Sequence, residues 1–239
     1  MPVEGDEELK RTNEIGMAIP LLDAIDLQGK DVTADALLTQ RKLADYLCLE
    51  RNAHYHFTVK GNQATLFQDI QLYFKDRKDP DFITYDPPDH GRIEIRKIWT
   101  TTALNHYLDF PHVQQAFVIE RKSVEKKRGK ESADIAYAIT SRTPQEADAQ
   151  KLLDINRGHW SIENSCHYIL DWNFDEDRSR IRTGYGPENI SRLRRFAIGV
   201  IKAKSVRSVA QKMRELTCNV RLVFDYLRMT KNSCASARL

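Results

Sequence analysis

The most restrictive feature of this chain is a change from helical to strand-like apolar period that occurs twice within its first sixty residues. Ile15, Ile19, Leu22 and Ile25 recur at helical spacing between Asn13 and Leu27, and Gly29 ends the pattern. Asp31-Val32-Thr33-Ala34-Asp35 follows as a short β-type run, and Leu43, Ala44 and Leu47 restore a helical pattern from Thr39 to Glu50. From Ala53 to Lys60, Tyr55, Phe57 and Val59 alternate as in a strand, which Gly61-Asn62 closes. The order helix, strand, helix, strand predicts a parallel or mixed sheet with helices on its faces. The expected class is α/β.

The middle of the chain changes character. Pro80, Pro87 and Pro88 mark a loop, after which Arg92 to Thr101, Gln114 to Val124 and Ala133 to Thr140 read as successive strands. Between the last two, the charged run Glu125 to Lys130 is either an exposed hairpin tip or a DNA contact. Thr143-Pro144-Gln145-Glu146 has the composition of a capping box, with Thr as cap and Pro at the first helical position. A helix is expected from there towards Asn156, a break at Gly158, and a second helix from about His159 to Asp171. After a turn at Gly184-Tyr185-Gly186-Pro187, the residues Ile190, Leu193, Ala197, Val200 and Ile201 form one apolar helical stripe. Three regions result: residues 1–75, a β-rich inserted module over 76–142, and a helical region over 143–239.

Net charge is only +3, but its distribution is uneven: Glu4, Asp6, Glu7 and Glu8 cluster at the front, whereas Arg and Lys crowd the segment from Arg178 to Arg228. Such asymmetry suits a back half that faces a polyanion. Cys48, Cys166, Cys218 and Cys234 form no CxxC pair, so reduced thiols in a cytoplasmic protein are expected. No run approaches the roughly 20 apolar residues of a spanning helix, so no membrane role is expected.

The densest polar stretch runs from Arg157 through His159, Trp160 and Glu163 to His167. At i, i+4 spacing, His159, Glu163 and His167 share one helical face and can present a carboxylate flanked by imidazoles. A solvated surface acid with two locally satisfied histidines has the same spacing. Zinc is disfavoured, because H-E-x-x-H is absent and no second Cys/His pair accompanies Cys166 and His167. Asp35 likewise suits either a turn or helix-capping role or a metal ligand at a strand end.

Several segments in fixed order carry a wider resemblance. They include Arg11-Thr12-Asn13-Glu14-Ile15, Ile19-Pro20-Leu21-Leu22, Val32-Thr33-Ala34-Asp35-Ala36, Lys60-Gly61-Asn62-Gln63 and His90-Gly91-Arg92-Ile93-Glu94. Later come Arg157, His159-Trp160, Ile162-Glu163-Asn164, Leu170-Asp171, Glu176-Asp177 with Arg180 and Arg182, and Pro187-Glu188-Asn189 with Leu193-Arg194-Arg195. Over roughly residues 11 to 204 the chain resembles the H-repeat-associated insertion-sequence transposases. That resemblance implies a ribonuclease-H-like core whose three carboxylates hold two divalent ions, Mg²⁺ or Mn²⁺, for phosphoryl transfer on DNA.

Within that resemblance, Asp35 is the second acid and Glu163 the third. The first belongs to an Asp-Gly-Lys pattern upstream of the opening helix, and these 239 residues do not contain it. Gln28-Gly29-Lys30 is a superficial likeness only. The expectation is an incomplete ribonuclease-H-like core, truncated before its first strand and weak or inactive alone. Related transposases carry an Arg where His159 stands and a Lys where Leu170 stands, so their phosphate-handling roles are not carried over. The candidate DNA contacts are Lys60, Arg157, His159, Trp160, Arg180, Arg182, Arg194 and Arg195, each with an ordinary surface or core role as the alternative. The expected partners are transposon ends, target DNA, and a second copy or a full-length transposase, with nucleoid association when DNA is bound. The rival reading is a non-catalytic DNA-binding or dimerising fragment.

Overall fold

The computed structural model describes the backbone of residues 5–76, 78–89, 92–125, 130–162, 167–204, 206 and 208–230. Side chains are described for the same residues apart from 5–13, 87–89, 92, 125, 130, 161 and 162. The protein forms two compact units, Met1–His159 and Trp160–Leu239.

The first unit is built on one mixed sheet. Helix α1 (Gly5–Asp23) leads through the turn at Gly29, whose φ of 68° suits a residue without Cβ, into β1 (Asp31–Ala34). Then come α2 (Arg41–Asp45), a π-helical turn (Tyr46–Glu50), β2 (His54–Val59) and α3 (Ala64–Phe74). Four strands follow: β3 (Phe82–Asp89), β4 (Arg92–Thr101), β5 (Gln115–Glu125) and β6 (Lys130–Thr140), and then α4 (Ala149–Ile162). The strand order is β1-β2-β6-β5-β4-β3; β1 and β2 are parallel and every other pair is antiparallel. The chain is therefore α/β as expected, and the strands of the β-rich region extend the same sheet that begins with β1 and β2.

Alternation along the strands supplies both faces of this sheet. Tyr55, Phe57 and Val59 of β2 join Ala116 and Val118 of β5 under Leu43, Leu47, Leu66, Ile70 and Phe74 from α2, its π-helical extension and α3. On the opposite face Ile98, Phe117, Ile119 and Ala138 pack against Ala147, Leu152 and Leu153, which seats the start of α4. Each such buried aliphatic or aromatic side chain contributes about 1.5–3 kcal/mol of transfer free energy.

The second unit holds a π-helical turn (Ile169–Asn173), α5 (Gly186–Lys202), α6 (Val209–Cys218) and α7 (Val220–Tyr226). Its core joins Ile169, Leu170, Ile198, Ile201 and Val209. The buried line of α5 is rotated from the expected stripe, because Ile198 is buried while Leu193 is 61% exposed.

Other departures have local causes. Thr143 does not open a helix: the Glu146 carboxylate accepts from its N–H and hydroxyl, both at 2.9 Å, but residues 144–146 form a turn. Helix α4 starts at Ala149 instead, capped by Asp148 Oδ1, which accepts from Lys151 N at 2.8 Å. It then runs through Gly158 without a break. Gln115 explains the delay, since its buried amide donates to the carbonyls of Arg142 and Ala147 and fixes the turn between them. The expected hairpin tip at 126–129 lies outside the described residues, although Glu125 pairs with Lys130 across the strands that it joins. Cys48 and Cys218 are free thiols, and Cys166 and Cys234 lie outside the described residues. Among the described residues no helix is long and apolar enough to cross a membrane.

Candidate functional site

Asp35 stands directly after β1, in the loop leading to α2, and its side chain is exposed. Its Oδ1 accepts from the backbone N–H of Leu37 at 3.1 Å and of Leu38 at 3.2 Å. This turn-forming role is the one its residue type allows locally, and it fixes the carboxylate while leaving Oδ2 without a hydrogen bond from the described residues. The turn is itself braced. Thr39 is fully buried, with Oγ1 3.1 Å from Asp35 O and 2.7 Å from Thr58 O. Asn62 Nδ2 donates to Ala36 O at 2.6 Å, and Gln63 Nε2 donates to Thr39 O at 2.7 Å. The segment Lys60-Gly61-Asn62-Gln63 therefore clamps the loop that carries Asp35, and Lys60 is exposed at the end of β2.

Asp31, at the other end of β1, has a different task. Arg142 Nε donates to its Oδ1 at 2.7 Å and Nη2 to its Oδ2 at 3.2 Å, while Nη2 also reaches Gly29 O. Both side chains are largely buried. With its two oxygens committed, Asp31 is a structural acid that joins β1 to the segment after β6.

Beside Asp35, the end of α4 meets β1. His159 Nδ1 lies 3.1 Å from Thr33 Oγ1. Thr33, Asn156 and His159 share a water-sized cavity of about 10 Å³ with His56 of β2. His56 is 5% exposed, and neither ring nitrogen has a partner among the described residues. Burial, aided by nearby Arg142 and His54 and opposed by Asp31, depresses its pKa from 6.5 to about 4, so the ring is neutral at pH 7. Sequence reasoning missed His56 because it occupies a polar slot of an alternating strand, which normally faces water. Arg157 Nη1 sits 2.9 Å from Asp86 Oδ1 of β3, and Arg96 donates to the same carboxyl group. Its charge is already answered within the fold.

In the second unit, Arg194 is turned inward, 3.6 Å from Glu176 Oε1, and its side chain is only 13% exposed. Ser191 Oγ donates to the same carboxylate oxygen. Arg180, Arg182 and Arg195 are exposed, and Trp160 is 46% exposed and so is not a core residue. Glu163 lies outside the described residues. Among those that are described, no group of three or more His, Cys, Asp or Glu side chains is arranged to hold a metal ion.

The sequence is 28% identical over 236 residues to the putative transposase YncI of Escherichia coli O157:H7, covering 94% of this chain and 58% of that one. It is 28% identical over 218 residues to the H repeat-associated putative transposase YhhI of Escherichia coli K12, covering 86% and 57%. The putative protein YbfL of the same strain is 29% identical over 218 residues, with the same coverage. The chain thus spans a little under three fifths of the length of these curated relatives. A similar solved structure is a piggyBac transposase synaptic complex with hairpin DNA, at 14% identity and a TM-score of 0.38, covering 91% of this chain and 39% of that one. The Transposase DDE domain family matches residues 8–190, and the chain belongs to that family.

Proposed function

We propose that this chain is the metal-binding, DNA-handling part of a transposase, a polynucleotidyl transferase that cuts the ends of an insertion element and joins them to target DNA. The observation that carries this reading is Asp35: an exposed carboxylate at the C-terminal end of a parallel strand, held by two backbone amides through one oxygen and open at the other. Hard divalent ions such as Mg²⁺ and Mn²⁺ take oxygen ligands, so the free oxygen fits one ligand position. Glu163, from the family resemblance, is the other ligand. A pair of such ions about 3.5–4 Å apart supplies nucleophile activation and leaving-group stabilisation in phosphoryl transfer.

The chain's own residues then have distinct tasks. The Lys60–Gln63 segment and Thr39 keep the Asp35 carboxylate in one orientation. His159, bonded to Thr33, keeps the last turn of α4 in the first unit against β1, and Lys60 offers a cation to a phosphate. Exposed Arg180, Arg182 and Arg195 offer more, as sequence-independent backbone contacts. A second copy of the chain or a full-length transposase is the partner with which it would act on paired DNA ends.

The test is strand cleavage of an end-labelled duplex carrying the element's terminal repeat, with Mg²⁺ or Mn²⁺. Metal-dependent nicking that disappears in both Asp35→Asn and Glu163→Gln is expected. Nicking that survives both substitutions removes the assignment. DNA binding that weakens with salt but is never followed by cleavage favours the rival, a DNA-binding fragment, for which the exposed arginines of the second unit are the supporting observation.

A further inference from the structure

The face of the sheet that α3 covers is longer than α3. Along β5, Ala116 and Val118 lie in the core beneath that helix, and two residues further in each step the same face carries Glu120 and then Lys122. Register places Lys97 of β4 and Ile135 of β6 on either side of Glu120. Helix α3 ends at Phe74, so this outer part of the face is left as the floor of an open cleft of about 910 Å³. Lys75 and Lys78, just past the C-terminus of α3, form one wall, a position where cations are favoured by the helix dipole. Trp99, Tyr137 and Leu72 give the floor and rim an apolar part.

Charge decides what such a cleft accepts. Four lysines line it against one carboxylate. Glu120 is shared between Lys97 at 3.8 Å and Lys122 at 3.5 Å, and one glutamate cannot neutralise both. Lys75 and Lys78 are exposed and make no ion pair among the described residues. A single strand can lay phosphates along the lysines and bases against the apolar floor, whereas a duplex keeps its bases stacked inside and offers that floor none.

We propose that this cleft, between the end of α3 and strands β4–β6, binds a single strand of nucleic acid. It lies in the first unit, involves none of the residues assigned to the metal, and rests on the reading that the chain handles DNA.

The test uses the full chain and a fluorescein-labelled 20-mer of thymidine, titrated at several salt concentrations. Each lysine engaged with a phosphate contributes about 0.7 to the slope of log affinity against log salt for single strands. Lys75→Gln with Lys78→Gln should lower that slope by about 1.4 and weaken binding roughly tenfold near 0.1 M salt. Lys97→Gln with Lys122→Gln should lower the slope by about 0.7, because Glu120 already answers one of those two charges, with the thermal midpoint of each variant checked against the parent. The same slope and affinity in both folded double variants, with the parent still binding, overturns the cleft alone. Displacement of the strand by a poly-glutamate peptide at equal charge overturns the nucleic-acid assignment in favour of an acidic protein segment. A parent chain that binds neither strand nor duplex overturns both this proposal and the transposase reading, whereas loss of cleavage in Asp35→Asn with strand binding intact bears on the metal site alone.

Discussion

His159 Nδ1 and Thr33 Oγ1 lie 3.1 Å apart, joining the C-terminal end of α4 to β1 two residues before Asp35. The two residues are far apart in sequence, so the bond fixes a helix end to a strand end rather than a local turn. A part-buried hydrogen bond of this kind contributes about 1 kcal/mol. Thr33→Val should therefore lower stability to urea by about 1 kcal/mol, and Thr33→Ser should restore most of it. Equal stability of the Val variant and the parent would show that the contact does not hold α4 in place.

The two aspartates that bound β1 should separate cleanly on substitution. Asp31 has both oxygens on Arg142 in a largely buried pair, and removing one partner leaves an uncompensated cation. Asp31→Asn should cost about 2–3 kcal/mol in urea unfolding. Asp35→Asn keeps an oxygen for the amides of Leu37 and Leu38, so its cost should stay within about 0.5 kcal/mol, while Mn²⁺ binding measured calorimetrically or by paramagnetic relaxation falls at least tenfold. Asp31 carrying the metal effect and Asp35 the stability effect would reverse the assignment.

Gln115 is the buried hinge of the turn before α4. It is 2% exposed and donates to Arg142 O at 3.0 Å and Ala147 O at 2.9 Å. Gln115→Leu fills similar volume but leaves two buried carbonyls short of a donor, so a loss of about 2–3 kcal/mol is expected by urea titration. Amide exchange at the start of α4 should also speed up. A change under 0.5 kcal/mol would mean that the turn supports itself through Thr143 and Glu146.

Much of the fold was legible because the strand patterns are strong. Tyr55, Phe57 and Val59 mark β2, and Arg92 to Thr101 is β4 with the expected bounds. The proline-rich stretch was read as loop, yet Phe82–Asp89 forms β3 with Pro87 and Pro88 inside it. The sheet order explains this: β3 is an edge strand, where a missing N–H need not break a ladder. Helix α3 lacks a start signal, since Gln63 makes no side-chain cap, although Leu66, Ile70 and Phe74 repeat every four residues and were there to be read. At the site, Asp35 was legible as a strand-end acid through the resemblance. Its clamp by Asn62 and Gln63 was not, because an amide reaching a carbonyl more than twenty residues away leaves no periodic trace. For the same reason the pairing of Arg157 with Asp86 and the inward turn of Arg194 onto Glu176 escaped a reading that counted charges.

Buried His56 makes stability depend on pH in a defined direction. Its ring is neutral in the folded chain down to a pKa of about 4, against 6.5 when exposed. Between those values the unfolded chain takes up a proton that the folded chain refuses, so stability is highest above pH 6.5 and falls as pH drops towards 4, by up to about 3 kcal/mol. His56→Leu should flatten this part of the profile, read as thermal midpoint against pH. An unchanged acid slope in that variant would place the dependence on other groups.

Arginines of the second unit should divide by whether their charge is already answered. Arg194 is 13% exposed and faces Glu176, so Arg194→Ala leaves a part-buried carboxylate with only Ser191 beside it. Its expected effect is on stability, about 1–2 kcal/mol, with little change in how DNA binding varies with salt. Arg180 and Arg182 are exposed, and substituting both by Ala should leave the unfolding midpoint unchanged. The same double variant should reduce the slope of log affinity against log salt for duplex DNA by about 0.9 per residue, as expected when each cation displaces one phosphate's counterions. Charge alone would predict equal behaviour for all three, so a common effect on binding would mean that the Glu176 pair opens when DNA arrives, whereas the contrast would show that the ion pair keeps Arg194 from the duplex.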